Sequence, residues 1–238
     1  MTHHTVEASP RLKARIAGLL YLISGTLFVR GMPVVTGDAA ATAHNILAHQ
    51  TLFRLGFTAE LMSGPLYIAV TLLLYELLRP VNRSLSLLAT VFSVVGSTIA
   101  ALDSLFHLAP LMILGGSPYL SIFSVEQLQA LALLSLNLHT QGLNICMVFF
   151  GFFCLLIGYL IFRSIFLPRI IGLLLAIAGL CYLTYYLATF VSPEFAAHLF
   201  PYILIPGLAE IVLALWLLVM GVNVQRWNEQ ASAAGGRQ

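Results

Sequence analysis

Apolar residues occur along this chain in six long blocks that are separated by shorter polar segments. The blocks cover roughly residues 13–33, 54–78, 85–108, 139–162, 169–190 and 199–223. About 20 apolar residues in helical conformation are enough to cross the hydrocarbon core of a bilayer. The pattern therefore predicts an all-α fold, a polytopic transmembrane helical bundle with six spans.

Basic residues are distributed unevenly between the two sets of connecting segments. Those at the chain ends and in the second-to-third and fourth-to-fifth connections are Arg11, Lys13, Arg15, Arg79, Arg83, Arg163, Arg169, Arg226 and Arg237. Arg30 and Arg54 fall on the other side. The positive-inside rule then predicts that both termini are cytoplasmic. We expect cytoplasmic tails at 1–12 and 225–238, with a transmembrane domain at 13–224 between them and no cleavable signal at the start.

Composition supports the membrane assignment and narrows the range of partners. Hydrophobic residues make up 60% of the chain, charged residues only 8%, and mean hydropathy is +0.96. Such values exclude an ordinary soluble domain. The formal charge of +2 is too small to indicate nucleic-acid binding. Membrane lipid is the expected partner, and the three cysteines lack the CxxC spacing of redox or zinc motifs.

The segments predicted to lie outside the cell contain helix signals of their own. Asp38 stands at an N-cap position in GDAAATAHNILAHQTLFR, which reads as a short interfacial helix. Ser124 precedes Gln127 by three residues, the spacing of a capping box at the start of a helix that runs into the fourth span. The third outer segment contributes Glu194 and His198. We expect the outer face to be partly covered by these helices.

Several stretches together resemble a known family. They are ARIAGLLYLI at 14–23, GDAAATAHNILAH at 37–49, FRLGF at 53–57, RPVNRSLSLLA at 79–89 and LHTQGLNICMVFFGFFCLLIGYLIFRSIFLPRIIGLLLAIAGLCYL at 138–183. Across nearly its whole length the chain is similar to the DUF4386 family of uncharacterised bacterial membrane proteins. The resemblance implies six helices and a multi-pass location in the bacterial inner (plasma) membrane. It implies no activity, cofactor or site residue.

Ionisable side chains outside the cytoplasmic segments concentrate toward the outer ends of the predicted spans. Asp103 and His107 lie four residues apart in ALDSLFHLAP at 101–110, a spacing that places both on one helix face. At a rise of 1.5 Å per residue, Glu60 and Asp103 lie roughly 27 Å from the inner ends of their spans. Glu210 lies deeper, roughly 18–20 Å from its inner end. These positions predict a polar pocket that opens outward.

Binding of a small amphipathic or lipid-like ligand from the outer leaflet is the first hypothesis for this pocket. Its residues would be Arg30, Arg54, Glu60, Asp103, His107, Asn137, His139 and Glu210. The fixed fork of donors on arginine suits an anionic head group. Tyr182, Tyr185 and Tyr186 would line the wall, and one of the two arginines would pair with Glu60 or Glu210.

Two cofactor hypotheses use the same region. Asp103, His107 and His139 could hold a divalent metal such as zinc, with Glu60 as base for a bound water in an intramembrane hydrolase. The chain contains neither HExxH nor the HxxxH of membrane hydrolases related to alkaline ceramidases. Alternatively, the two histidines could ligate a haem between helices. A purely structural role also remains open, because charges near span ends snorkel and buried polar groups bridge helices.

Glycine positions indicate close packing between helices, and one proline indicates an irregularity in the sixth predicted span. Glycines recur seven residues apart within 151–158 and within 172–179, which favours close helix contacts. Pro206 lies one turn before Glu210. A proline leaves a nearby carbonyl unsatisfied, so we expect an opening in the sixth span. The two halves of three spans share no alignable segment, and a transport cycle is not predicted.

Overall fold

The computed structural model describes residues 9–27 and 37–235, and within these residues the regular structure is entirely helical. Nine α-helices are present there: α1 (Pro10–Leu27), α2 (Ala39–Ala48), α3 (Gln50–Leu78), α4 (Arg83–Ile113), α5 (Val125–Arg163), α6 (Arg169–Val191), α7 (Pro193–Leu199), α8 (Leu204–Val219) and α9 (Val224–Gly235). Two single turns of 3-10 helix, Pro118–Leu120 and Phe200–Tyr202, lie in the connections. The all-α prediction is confirmed.

Six of the helices form a closed ring. Helix α1 packs on α3, α3 on α4, α4 on α5, α5 on α6, α6 on α8, and α8 packs back on α1. Apart from the short helices, each member of the ring therefore contacts its neighbours in the chain. Large apolar side chains such as Leu102 and Leu105 cover the outside of the ring, as expected of helices that face lipid.

The described helices support a membrane protein without fixing every span. Helices α3, α4, α5 and α6 are each long and apolar enough to cross a bilayer. Segments Pro193–Tyr202 and Pro206–Val219, bent by 44°, raise the number to five if they form one span. Residues 28–33 of the first predicted span lie outside the described residues. The structure thus establishes four candidate spans.

The glycine spacing has the structural effect expected from the sequence. Gly158 of α5 lies against Gly172 of α6, and Gly151 lies against Gly179, so the two antiparallel helices touch through reciprocal glycine pairs. A Cβ atom at any of these positions would overlap side-chain or backbone atoms of the opposite helix. Backbones approach this closely only where side chains are small.

Both helix starts that the capping residues Asp38 and Ser124 predict are confirmed. The side chain of Asp38 accepts a hydrogen bond from Ala41 N at 2.8 Å and caps α2. Ser124 and Gln127 form a complete capping box, and α5 then continues for 39 residues. Each cap satisfies backbone N–H groups that have no partner inside the helix.

The last predicted span is shorter than the sequence pattern suggested. Helix α8 begins at Leu204 after a turn of 3-10 helix and ends before Gly221, whose φ of 68° stops it. Pro206 falls in the first turn of α8, where N–H groups lack an intrahelical acceptor in any case. The proline therefore sits where a helix tolerates it, and it marks the bend before α8.

Candidate functional site

Four ionisable side chains from three helices meet inside the ring, toward the end at which α3 begins. Glu60 comes from α3, Asp103 and His107 from α4, and His139 from α5. His107 Nδ1 lies 2.5 Å from Glu60 Oε2, and His139 Nε2 lies 3.6 Å from Glu60 Oε1. On its other side, His139 Nδ1 lies 2.8 Å from Asp103 Oδ2. We refer to these four residues as the histidine cluster.

Helix periodicity explains how α4 supplies two of these groups. Asp103 and His107 are one turn apart on the face that points into the ring. The adjacent Leu102 and Leu105 point to the lipid side, since Leu102 is 64% exposed and Asp103 only 5%. The shared face predicted for Asp103 and His107 is therefore present. Their partners differ, however: His107 pairs with Glu60, and Asp103 pairs with His139.

Gly142 makes room for this arrangement. It lies on α5, three residues after His139, and a Cβ atom there would overlap Oδ1 and Cγ of Asp103. A side chain at this position would push the Asp103 carboxylate away from His139. Sequence reasoning did not identify Gly142, although a glycine within a helical turn of a candidate ligand is a usable signal of close approach.

Several polar atoms of the histidine cluster are buried without a hydrogen-bond partner among the described residues. They are Glu60 Oε1, both carboxylate oxygens of Asp103, and His139 Nδ1, whose ring is close to Asp103 but poorly aligned with it. With neutral imidazoles, the cluster carries two carboxylate charges. Unpaired polar atoms and charges are costly away from water, so this cluster has the capacity to bind a cation.

Apolar side chains surround the cluster. Phe53 packs edge-on against the His107 ring at 4.8 Å, and Phe57 does so at 6.1 Å. Ile46 of α2 joins Phe53, Leu111 and Leu136 in a small buried group. This layer lowers the local polarity and strengthens electrostatic interactions inside the cluster.

Glu60, His107 and His139 have the composition and spacing of a metal site. Each offers one ligand atom, and the three atoms lie within 4.8 Å of one another. Zinc binds histidine nitrogen and carboxylate oxygen at about 2.0–2.2 Å in tetrahedral geometry, which separates ligand atoms by about 3.3 Å. Glu60 Oε2 and His107 Nδ1 are 2.5 Å apart. To accept the ion, the two atoms would have to move apart by a further distance of less than about 1 Å. Asp103 would then orient His139 from behind, as carboxylates do beside metal-bound histidines.

A second polar group, which we call the tyrosine cluster, lies deeper in the ring around Glu210. Tyr21 OH of α1 donates to Glu210 Oε2 at 2.6 Å, and Tyr182 OH of α6 donates to Oε1 at 2.7 Å. Tyr67 OH of α3 in turn donates to Tyr21 OH at 3.4 Å. An arginine was expected to pair with Glu60 or Glu210; among the described residues, the partners of the Glu210 carboxylate are phenols.

Comparison with known proteins gives the family of the chain. The model of a domain of unknown function, DUF4386, matches residues 16–221. The chain belongs to the DUF4386 family. An uncharacterised protein of Archaeoglobus fulgidus is 25% identical over 154 residues, which are 65% of this chain and 76% of that protein. No solved structure matches the chain. The resemblance read from the sequence is thereby confirmed, and the function must be argued from the side chains.

Among the described residues, two further predicted site residues of this DUF4386 protein do not join either cluster. Arg30 lies outside the described residues. Arg54 and Asn137 are exposed on the surface of the ring. Two surface cavities lie at the opposite end of the helices, one lined in part by Arg11 and Arg226. Seven of the eight residues proposed for one outer pocket are described, and four of these seven come together.

Proposed function

We propose that this DUF4386 protein binds a divalent transition metal, of which zinc is the prime candidate, within its membrane helices. Glu60, His107 and His139 are the proposed ligands, and Asp103 is the carboxylate that orients His139. This differs from the initial zinc hypothesis, in which Asp103 was a ligand and Glu60 a base. The exchange of roles follows from the distances, because Glu60 contacts both imidazoles and Asp103 contacts only the far nitrogen of His139.

One observation carries the proposal. Glu60 Oε1 is buried and has no hydrogen-bond partner among the described residues, yet it faces His139 Nε2 at 3.6 Å with His107 bound to the other carboxylate oxygen. A divalent cation at this point would satisfy Glu60 and neutralise the two carboxylate charges of the cluster. Neutralisation matters here, since charges within membrane helices are costly and usually mark functional positions.

The number of ligands favours a catalytic type of site. Structural zinc sites commonly have four protein ligands, whereas catalytic sites have three and hold water in the fourth position. A bound water would have a lowered pKa and would be available to attack an ester or amide. The proposed reaction class is therefore hydrolysis of a lipid-like substrate, which joins the initial ligand and hydrolase hypotheses at one site.

The haem alternative is less compatible with the same geometry. The His107 and His139 rings are 4.9 Å apart between centroids, and Glu60 contacts both of them. An iron porphyrin bound by two histidines must lie between the two rings. The carboxylate and the short ring separation occupy that space.

Metal analysis of the purified protein tests the proposal. The full chain, isolated in detergent through a tag without histidine, is stripped with chelator and reloaded with Zn²⁺ or Co²⁺. We expect stoichiometric zinc and a visible cobalt spectrum typical of tetrahedral coordination. Glu60→Gln and His139→Ala should abolish binding, and Asp103→Asn should weaken it roughly 10–100-fold. Binding should also weaken at acid pH, because protons compete for the ligands.

His198→Ala is the matched control, since His198 is exposed and its Nδ1 hydrogen-bonds to Glu194 O at the start of its own short helix. This variant should bind zinc as the wild type does. A wild-type chain that stays free of zinc after loading would refute the metal site. Equal loss of zinc in the control and in Glu60→Gln would refute the ligand assignment.

We further propose that the six helices of the ring cross the cell membrane with both termini in the cytoplasm. The concentration of arginines at one end of the ring supports this orientation. Single cysteines are placed at Ser121 and at Asn228 after replacement of the native thiols. In intact cells, an impermeant thiol reagent should label the Ser121 position and spare the Asn228 position. The reverse pattern would invert the topology.

A further inference from the structure

The tyrosine cluster has no part in the proposed metal site, although it places a carboxylic acid deep among membrane helices. Glu210 lies on α8, and its hydrogen-bond partners come from α1 and α6, with Tyr67 of α3 behind Tyr21. Four members of the ring therefore contribute one side chain each. No basic side chain among the described residues forms an ion pair with Glu210. We propose that Glu210 is an exchangeable proton-binding site, served by the three tyrosines.

The hydrogen-bond directions support this proposal. In the structure both oxygens of Glu210 accept, one from Tyr21 and one from Tyr182, which is the pattern of an ionised carboxylate. Tyr21 also accepts from Tyr67. The chain Tyr67 to Tyr21 to Glu210 thus runs in one direction toward the carboxylate. Two donors reaching one carboxylate stabilise its charged form.

The same side chains can also hold the protonated acid. A proton delivered from the aqueous phase binds Glu210 Oε2, which then becomes a donor, and Tyr21 OH rotates to accept it. The hydrogen of Tyr21 turns to Tyr67 OH, so the direction of the Tyr67–Tyr21 bond reverses. No covalent bond other than the new O–H is made, and loss of the proton restores the first arrangement. Hydroxyl groups are suited to this because each can donate or accept.

The groups around Glu210 define what could compete for the proton. Tyr21, Tyr67 and Tyr182 face it from α1, α3 and α6, and the buried thiol of Cys154 on α5 lies beside the tyrosines in the same core. These groups are neutral in their ordinary protonation state. Glu210 is therefore the group of this cluster that changes charge when a proton binds.

Carbodiimide labelling and infrared spectroscopy test the proposal on the full chain in detergent or lipid. Dicyclohexylcarbodiimide modifies protonated carboxyl groups in apolar surroundings. We expect an adduct on Glu210, located by peptide mass spectrometry, that increases as the pH falls. The carbonyl stretch of a protonated carboxylic acid should appear over the same pH range. Both signals should be missing from Glu210→Gln and retained in Glu60→Gln.

The Tyr182→Phe variant tests whether the phenols influence proton binding by Glu210 and do not only support the fold. It removes one donor from the carboxylate, so the midpoint of the infrared titration should shift to higher pH by about one unit. Tyr159→Phe, an exposed tyrosine on α5, should leave the midpoint unchanged. Absence of a Glu210 adduct and of any titrating carbonyl band in the wild type, from mildly acidic to mildly alkaline pH, would overturn the proposal. Loss of zinc binding alone would leave it intact.

Discussion

The histidine cluster and the tyrosine cluster solve the problem of a carboxylate among membrane helices in different ways. Around Glu210, each carboxylate oxygen accepts a hydrogen bond from a neutral phenol. Around Glu60 and Asp103, imidazoles lie close by, but one oxygen of Glu60 and both of Asp103 lack a hydrogen-bond partner among the described residues. Both carboxylate oxygens of Glu210 thus have hydrogen-bond donors, whereas Glu60 and Asp103 have oxygens that are still available to bind a cation.

This difference separates two kinds of chemistry within one bundle. A carboxylate whose partners are hydroxyl groups can exchange a proton by rotation of those hydroxyl groups. A carboxylate with a free lone pair beside two imidazoles can bind a cation. Burial of an acid in a membrane helix therefore says little about its role, and the hydrogen-bond partners of each oxygen say much more.

Replacing Gly142 should break the histidine cluster and spare the tyrosine cluster. In Gly142→Ala, the new Cβ displaces Asp103 from His139, and a buried charge loses its partner. We expect a loss of about 3–5 kcal/mol in the free energy of unfolding, measured as a lower melting temperature in detergent, together with weaker zinc binding. Gly64→Ala on α3 is the control, because a Cβ there has no atom within 4 Å. Equal effects of the two alanines would contradict the close approach at Gly142.

Removing one phenol should weaken the tyrosine cluster and leave zinc binding unchanged. Tyr182→Phe leaves Glu210 Oε1 without its donor, at a cost of about 1.5–3 kcal/mol for a hydrogen bond to a charged group. Tyr67→Phe should cost less, because among the described residues the Tyr67 hydroxyl bonds to Tyr21 alone, at 3.4 Å. Thermal melting and zinc titration measure the two properties separately. A drop in zinc affinity in Tyr182→Phe would show that the clusters are coupled.

The finest test asks which residue Asp103 interacts with. Double-mutant cycles in the absence of metal should give a coupling of about 1 kcal/mol for Asp103 with His139, and a value within about 0.5 kcal/mol of zero for Asp103 with His107. The first pair is in contact at 2.8 Å, whereas the second shares only a helix face. Melting of single and double alanine variants supplies the four energies of each cycle. A larger coupling for Asp103 with His107 would show that the two residues on the shared helix face interact directly and would contradict the pairing with His139.

Local sequence signals predicted the helices and part of the histidine cluster. Asp38 and Ser124 mark helix starts because capping depends on residues three positions apart. Asp103, His107 and His139 could be placed near one another because one connection joins the end of α4 to the start of α5. These signals act within a few turns of chain, where helical geometry is fixed.

The contacts between helices could not be predicted in the same way. Whether His107 or His139 pairs with a given carboxylate depends on the rotation and axial shift of α3 and α4, which spacing along one helix does not define. Tyr21 and Tyr67 give no signal either, because a tyrosine in an apolar helix usually serves packing. The arginine expected beside Glu60 or Glu210 followed from charge alone, whereas among the described residues two phenols donate to the Glu210 carboxylate.

The reciprocal glycine pairs between α5 and α6 have a mechanical consequence. Gly151 with Gly179 and Gly158 with Gly172 hold the two backbones in contact over two turns. We therefore expect α5 and α6 to move together as one rigid unit. His139 of α5 belongs to the histidine cluster, and Tyr182 of α6 belongs to the tyrosine cluster. We therefore expect an opening that admits a metal or a proton to come from movement of the other helices, α2 included, relative to α5 and α6.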